Sequence, residues 1–144
     1  MAKTVRDAMT PNVRAGAPME SLADAAQIMK EEDVGSLPVV EDGRLIGILT
    51  DRDIVVRAVA ERVDPQSVKV GDVASRELVT VEPEQDLDEA LALMAHRQVR
   101  RLPVVEGGRL VGVLAQADVA LEAKDKDAGA LLDEISQPTS TSRD

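Results

Sequence analysis

The chain contains no cysteine, no tryptophan, no tyrosine and no phenylalanine, and only one histidine. Without thiols there are no disulfides, no thiolate nucleophile and no thiolate metal site. His96 by itself cannot build a histidine-rich zinc site. Carboxylates are plentiful but scattered, not spaced as a calcium loop, so no metal is expected. The missing rings remove the stacking platform that single-stranded nucleic acid uses, and a planar ligand would have to lie between aliphatic side chains. Positive charge is also short: 17 Lys and Arg stand against 27 Asp and Glu, a net charge of −10. That balance argues against nucleic-acid phosphates and anionic membranes as partners. No apolar run approaches the ~20 residues that span a bilayer. The start, MAKTVRDAMT, lacks the apolar stretch of a secretory signal, so a cytoplasmic location is expected.

What is present is the composition of a soluble globular protein, 144 residues with 44% hydrophobic and 31% charged. That length suffices for one or two small domains. Sliding the sequence by 65 positions aligns 5–58 with 70–123 without a gap, and 19 of the 54 pairs are identical. Two homologous units are the simplest reading. The matches include Asp7 with Asp72, Pro18 with Pro83, Met29 with Met94, the block LPVVE at Leu37 and Leu102, and Asp53 with Asp118.

The periodicity changes in the same order within each unit. Leu22, Ala25, Ala26 and Met29 share a helical face, with Ser21 and Asp24 spaced as a cap and its partner; Leu87, Ala90, Leu91 and Met94 repeat it after Asp86 and Glu89. LPVV, a turn at EDGR or EGGR, and the runs LIGIL or LVGVL then read as a hairpin. Pro38 and Pro103 are placed at the starts of their strands, where proline is tolerated. A second helix follows from about Asp51 and from about Gln116. Short strands at 13–15 and 78–81 precede the first helices, which makes each unit β-α-β-β-α, an α/β (α+β) fold. Apolar helix faces require the two units to pack on each other. The linker lies around Pro65, so the expected boundaries are 1–64, 65–124 and an appendix at 125–144. In that appendix Ala128, Leu131, Leu132 and Ile135 would share a helical face before a flexible tail.

The repeat, with D-x-M near its start, LPVV, the G-R-L-x-G hairpin and T-x-x-D at the final helix, resembles a tandem pair of cystathionine-β-synthase (CBS) domains. It is closest to stand-alone bacterial two-CBS proteins, including the hypoxia-response type. The resemblance implies a pseudo-twofold Bateman module, a homodimer, and two clefts between the repeats that bind adenosine derivatives. AMP, ADP, ATP and other adenosyl ligands are all compatible, none is required, and the protein partner under regulation is not specified.

In such a cleft a carboxylate suits the vicinal hydroxyls of a ribose, and a hydroxyl one turn earlier meets a phosphate. The resemblance assigns these roles to Asp53 and Thr50, facing Arg100 and Arg101 from the other repeat. Leu78, Val79 and Thr80 would line this primary cleft, with Ile48 and Pro103 as apolar walls. In the second cleft Asp118 would face Gly35 and Ser36, with Arg14 and Ala15 beside them. Ala115 replaces the threonine there, so this site is expected to be depleted. The same residues have a structural reading: threonine and aspartate three apart also cap a helix. Arg100 and Arg101 would also serve at a surface or a dimer contact, Met29 and Met94 as core filler, and His96 at a helix end. A nucleotide sensor and a ligand-free dimerisation scaffold are thus both open, while no nucleophile with a base, no phosphate-cradling glycine loop and no metal cluster points to an enzyme.

Overall fold

The computed structural model describes residues 3–120; the expected appendix, 125–144, lies outside them. Helices and strands alternate as α1 (Val5–Ala8), β1 (Thr10–Pro11), α2 (Leu22–Glu32), β2 (Ser36–Glu41), β3 (Arg44–Thr50), α3 (Asp51–Ile54), a π-helical turn (Val55–Val59), α4 (Val70–Val73), α5 (Leu87–Arg97), β4 (Arg101–Glu106) and β5 (Arg109–Ala115). A further helix, α6, occupies 116–120.

The two hairpins are near copies. β2 pairs with β3 and β4 with β5, both antiparallel, and each has a register shift at the same place, between Val39 and Val40 and between Val104 and Val105. Their turns place Asp42 and Gly43 at φ 53° and 82°, and Gly107 and Gly108 at 61° and 82°. Two successive residues with positive φ are what a tight two-residue hairpin turn needs to match strand twist.

The first helices follow their sequence pattern. α2 buries Leu22, Ala25, Ile28 and Met29, and α5 buries Leu87, Ala90 and Met94. Ser21 caps α2 through its hydroxyl, which accepts from the Asp24 N–H at 3.0 Å. Asp86 makes no such side-chain bond. Both helix starts are tied by an antiparallel bridge, Ser21 with Lys69 and Thr4 with Asp86, with the Val68 carbonyl accepting from the Leu22 N–H and the Lys3 carbonyl from the Leu87 N–H, each at 2.9 Å.

Two expectations change. The strands at 13–15 and 78–81 shrink to single parallel bridges, Gly16 with Val39 and Val81 with Val104. Pro38 and Pro103 are the third residues of their strands. Having no N–H, each offers only its carbonyl to the neighbouring segment, accepting from Gly16 at 2.8 Å and from Val81 at 3.1 Å.

The described residues form two apolar cores, and the chain crosses between them. Val70 and Val73 of α4 pack in the first core with Leu22, Leu37 and Leu49. Val5 of α1 packs in the second with Leu87, Leu102 and Leu114. Each repeat therefore lends its opening segment to the other, and β1 extends β5 through Thr10 with Val113 and Pro11 with Gly112. The hairpins also meet directly at one rung, Arg44 with Arg109. There a Cβ on Gly43 would collide with the Arg109 guanidinium, and one on Gly108 with that of Arg44.

Candidate functional site

The hydrophobic run of β3 ends at Thr50, and the chain turns at once into α3. Thr50 and Asp53 form a reciprocal cap: the Thr50 hydroxyl oxygen accepts from the Asp53 N–H at 3.1 Å, and Asp53 Oδ2 accepts from the Thr50 N–H at 3.0 Å. This satisfies two backbone donors that a helix start otherwise leaves open. The Thr50 hydroxyl proton and Asp53 Oδ1 are not used in the cap, so a hydrogen-bond donor and an acceptor stand together on a half-buried corner. In the second repeat Ala115 removes one of the two bonds. The other remains, Ala115 N–H to Asp118 Oδ2 at 3.3 Å.

The segment 76–80 links the strands that carry the other residues expected to line the primary cleft. At one end, Ser75 and Ile48 exchange backbone bonds of 2.9 and 2.8 Å, which anchors the segment to β3. At the other, the Val81 N–H reaches the Pro103 carbonyl, which anchors it to β4. Leu78, Val79 and Thr80 thus run from the strand carrying Ile48 and Thr50 to the strand carrying Pro103 and Arg101. Along each strand these pairs are two residues apart and share a face. Leu78 is exposed, whereas Val79 leans on the second core. The ladder contacts of the arginines lie within their own repeat: Arg101 pairs with Ala115, and the Arg100 carbonyl accepts from the Gln116 N–H at 2.8 Å.

The second set is arranged in the same manner. The segment 12–15 runs from β1, beside Gly112 and Val113, to Gly16, whose N–H reaches Pro38. Ser36 pairs with Thr50, and the Gly35 carbonyl accepts from the Asp51 N–H at 2.9 Å. Ala15 is half-buried. Arg14 is engaged by α2: its Nη1 lies 2.7 Å from Glu31 Oε1 and 3.3 Å from Glu32 Oε2. The Arg14 hydrogen bond, followed by one from Gln27, holds the Glu31 carboxyl below the usual range. Asp51 is a residue the motif reading passed over. Its Oδ2 lies 3.1 Å from where a Gly35 side chain would begin. The signal was available in the repeat, where Asp51 and Gly35 match Gln116 and Arg100.

A shallow groove of about 630 Å³ at the start of α2, between Met19 and Lys69, contains none of these residues. No helix among the described residues is long and apolar enough to cross a membrane. Met29 and Met94 are core residues, and His96 is exposed near the end of α5.

A family profile for the CBS domain matches residues 5–59 and again 70–125. The chain is 43% identical over 134 residues to the CBS domain-containing protein YhcV of Bacillus subtilis, covering 92% of this chain and 95% of that one. Its fold matches the crystal structure of Hypoxic Response Protein I with two coordinated zinc ions, at a TM-score of 0.76 and 41% identity over 83% of this chain and 98% of the other. It also matches CBSX2 in complex with AMP, at a TM-score of 0.75 and 30% identity over 85% and 97%. The chain belongs to the CBS-domain family, and its two repeats form a CBS pair of the Bateman type, a regulatory module. The chain has no cysteine and one histidine, and no three His, Asp or Glu side chains converge among the described residues.

Proposed function

We propose that this CBS pair is a regulatory sensor of adenine nucleotides, binding AMP, ADP, ATP or a related adenosyl ligand in the cleft of Thr50 and Asp53. The observation that carries this reading is the segment 76–80, tied to β3 at Ser75 and to β4 at Val81. With Leu78 exposed on it, the segment spans from the strand that carries Thr50 to the strand that carries Arg101. In this reading Asp53 Oδ1 accepts from the ribose, the Thr50 hydroxyl donates to a phosphate, and Arg100 and Arg101 neutralise its charge. Ile48 and Pro103 wall the base. The AMP complex of CBSX2 supports the ligand class. Nucleotide occupancy acts by favouring one packing of the repeats over another, which requires different affinities for the two.

The module works as a cytoplasmic, non-catalytic homodimer, with repeats bounded at 1–64 and 65–124, and presents its state to a protein partner. Dimerisation is supported by the π-helical turn and the residues after it, where Val55, Val56, Val59 and Val63 are all exposed, Val59 to 64%. A second reading, a scaffold that binds no nucleotide, is favoured by the reciprocal cap, which gives Thr50 and Asp53 a structural role without a ligand.

Calorimetric titration with AMP and ATP, with light scattering on the same samples, separates the two. The sensor reading expects about one strong site per chain in a dimer, removed by Asp53→Ala and little changed by Asp118→Ala. Absence of heat with every adenine ligand would leave the scaffold. Loss of binding in Asp118→Ala alone would invert the assignment of the clefts.

A further inference from the structure

Where the two hairpins meet, like charges face each other. Arg44 and Arg109 are Cα partners in the antiparallel pairing of β3 with β5. The flanking bonds are made by their neighbours, from the Leu45 N–H to the Gly108 carbonyl and from the Leu110 N–H to the Gly43 carbonyl, both 3.1 Å. The arginines are therefore a non-hydrogen-bonded pair, the kind whose side chains start closest together. Like charges directly opposite one another on a sheet are destabilising.

Each arginine has a glutamate opposite it within its own hairpin, Glu41 for Arg44 and Glu106 for Arg109. Neither arginine forms an ion pair among the described residues, and the Glu106 carboxylate lies 3.6 Å from Arg6 Nη2 instead. The two side chains cross the seam. The Arg44 guanidinium lies against Gly108 and that of Arg109 against Gly43, and Arg109 Nη1 donates to the Asp42 carbonyl at 3.2 Å. Both arginines are exposed. Arg109 uses one N–H donor in a described hydrogen bond and Arg44 none, so a fork of donors remains on each.

We propose that Arg44 and Arg109 form an oxyanion site on the seam between the repeats, which takes a phosphate group and clamps the two hairpins together. A planar guanidinium fork matches two phosphate oxygens, and a doubly charged anion held by both forks removes the repulsion of the bare pair. The group is either free inorganic phosphate or the phosphoryl end of a small metabolite. The site is separate from the Thr50 cleft, because Arg44 and Thr50 lie at opposite ends of β3, roughly 20 Å of strand apart. The inference stands whether or not that cleft binds a nucleotide.

The test is calorimetric titration of the full chain with inorganic phosphate in chloride buffer of matched ionic strength, with melting followed by circular dichroism on the same samples. Phosphate should bind saturably and raise the melting temperature. Arg44→Gln and Arg109→Gln should each weaken it about tenfold or more by removing a charge-assisted fork. In chloride alone Arg44→Gln should melt no lower than the unaltered protein, because it ends the like-charge contact, and in saturating phosphate it should melt lower. A parallel titration with methyl phosphate distinguishes the source. Binding as tight as that of the free ion assigns the site to a phosphorylated metabolite, and much weaker binding assigns it to inorganic phosphate. The proposal is overturned if phosphate gives no saturable heat and stabilises unaltered and variant proteins alike, as an excluded solute does. It is also overturned if both glutamine variants bind phosphate as the unaltered protein does. Loss of binding in Arg101→Gln but not in Arg44→Gln would overturn it too, by placing the anion in the nucleotide cleft.

Discussion

Thr50→Ala makes the first repeat resemble the second, and its cost can be worked from the cap. The substitution deletes the acceptor for the Asp53 N–H, a 3.1 Å bond on a half-buried corner, and leaves the Asp53 carboxylate bonded to the backbone of residue 50. The second repeat shows what remains in that case, a single bond of 3.3 Å from the Ala115 N–H to Asp118. Replacing a threonine N-cap by alanine costs about 1 kcal/mol. For a body of this size that corresponds to a fall in melting temperature of roughly 4 °C. In urea it moves the unfolding midpoint by roughly 0.5 M with an unchanged slope. The absence of tryptophan and tyrosine leaves fluorescence without a probe, so the transition is followed by far-ultraviolet circular dichroism on nucleotide-free protein. Thr50→Ser should recover most of the loss, because the acceptor returns. Ala115→Thr should stabilise by a similar amount. An unchanged midpoint for Thr50→Ala, or a serine variant no better than alanine, would refute the claim that this cap holds the strand-to-helix corner.

Two further outcomes follow from the seam and the crossing segments. Gly43→Ala should destabilise by more than about 1 kcal/mol, since it adds a side chain at φ 82° and displaces Arg109. Gly107→Ala, at φ 61° with nothing in the way, should cost only the backbone term. Equal melting temperatures for these two variants would mean that the arginine contact contributes nothing. Val70→Ala and Val5→Ala should each cost roughly 2 kcal/mol, because both valines are fully buried in the core of the other repeat. Denaturation midpoints like that of the unaltered protein would show that the crossing segments do not pack as described.

Much of the local structure was legible in the sequence. The 65-residue repeat, the apolar face of α2 at Leu22, Ala25 and Met29, and the turns at Gly43 and Gly108 depend on residues near one another in the chain. Their periodicity and positive-φ requirements are local properties. The pairing of Thr50 with Asp53 was also legible as a spacing, though not whether cap, ligand contact or both would result. Tertiary structure decided the rest. Nothing in the near-identical order of the two units indicates that Val5 and Val70 exchange cores, because each packs equally well as an apolar residue on a short helix. Only burial against Leu102 and Leu114, or against Leu37 and Leu49, distinguishes the two arrangements. The strands expected at 13–15 and 78–81 became single bridges because their partners, β2 and β4, present a proline at the point of contact. The engagement of Arg14 by Glu31 and Glu32 spans 17 and 18 residues. It depends on how the segment after β1 passes the end of α2, a geometry that no local pattern encodes.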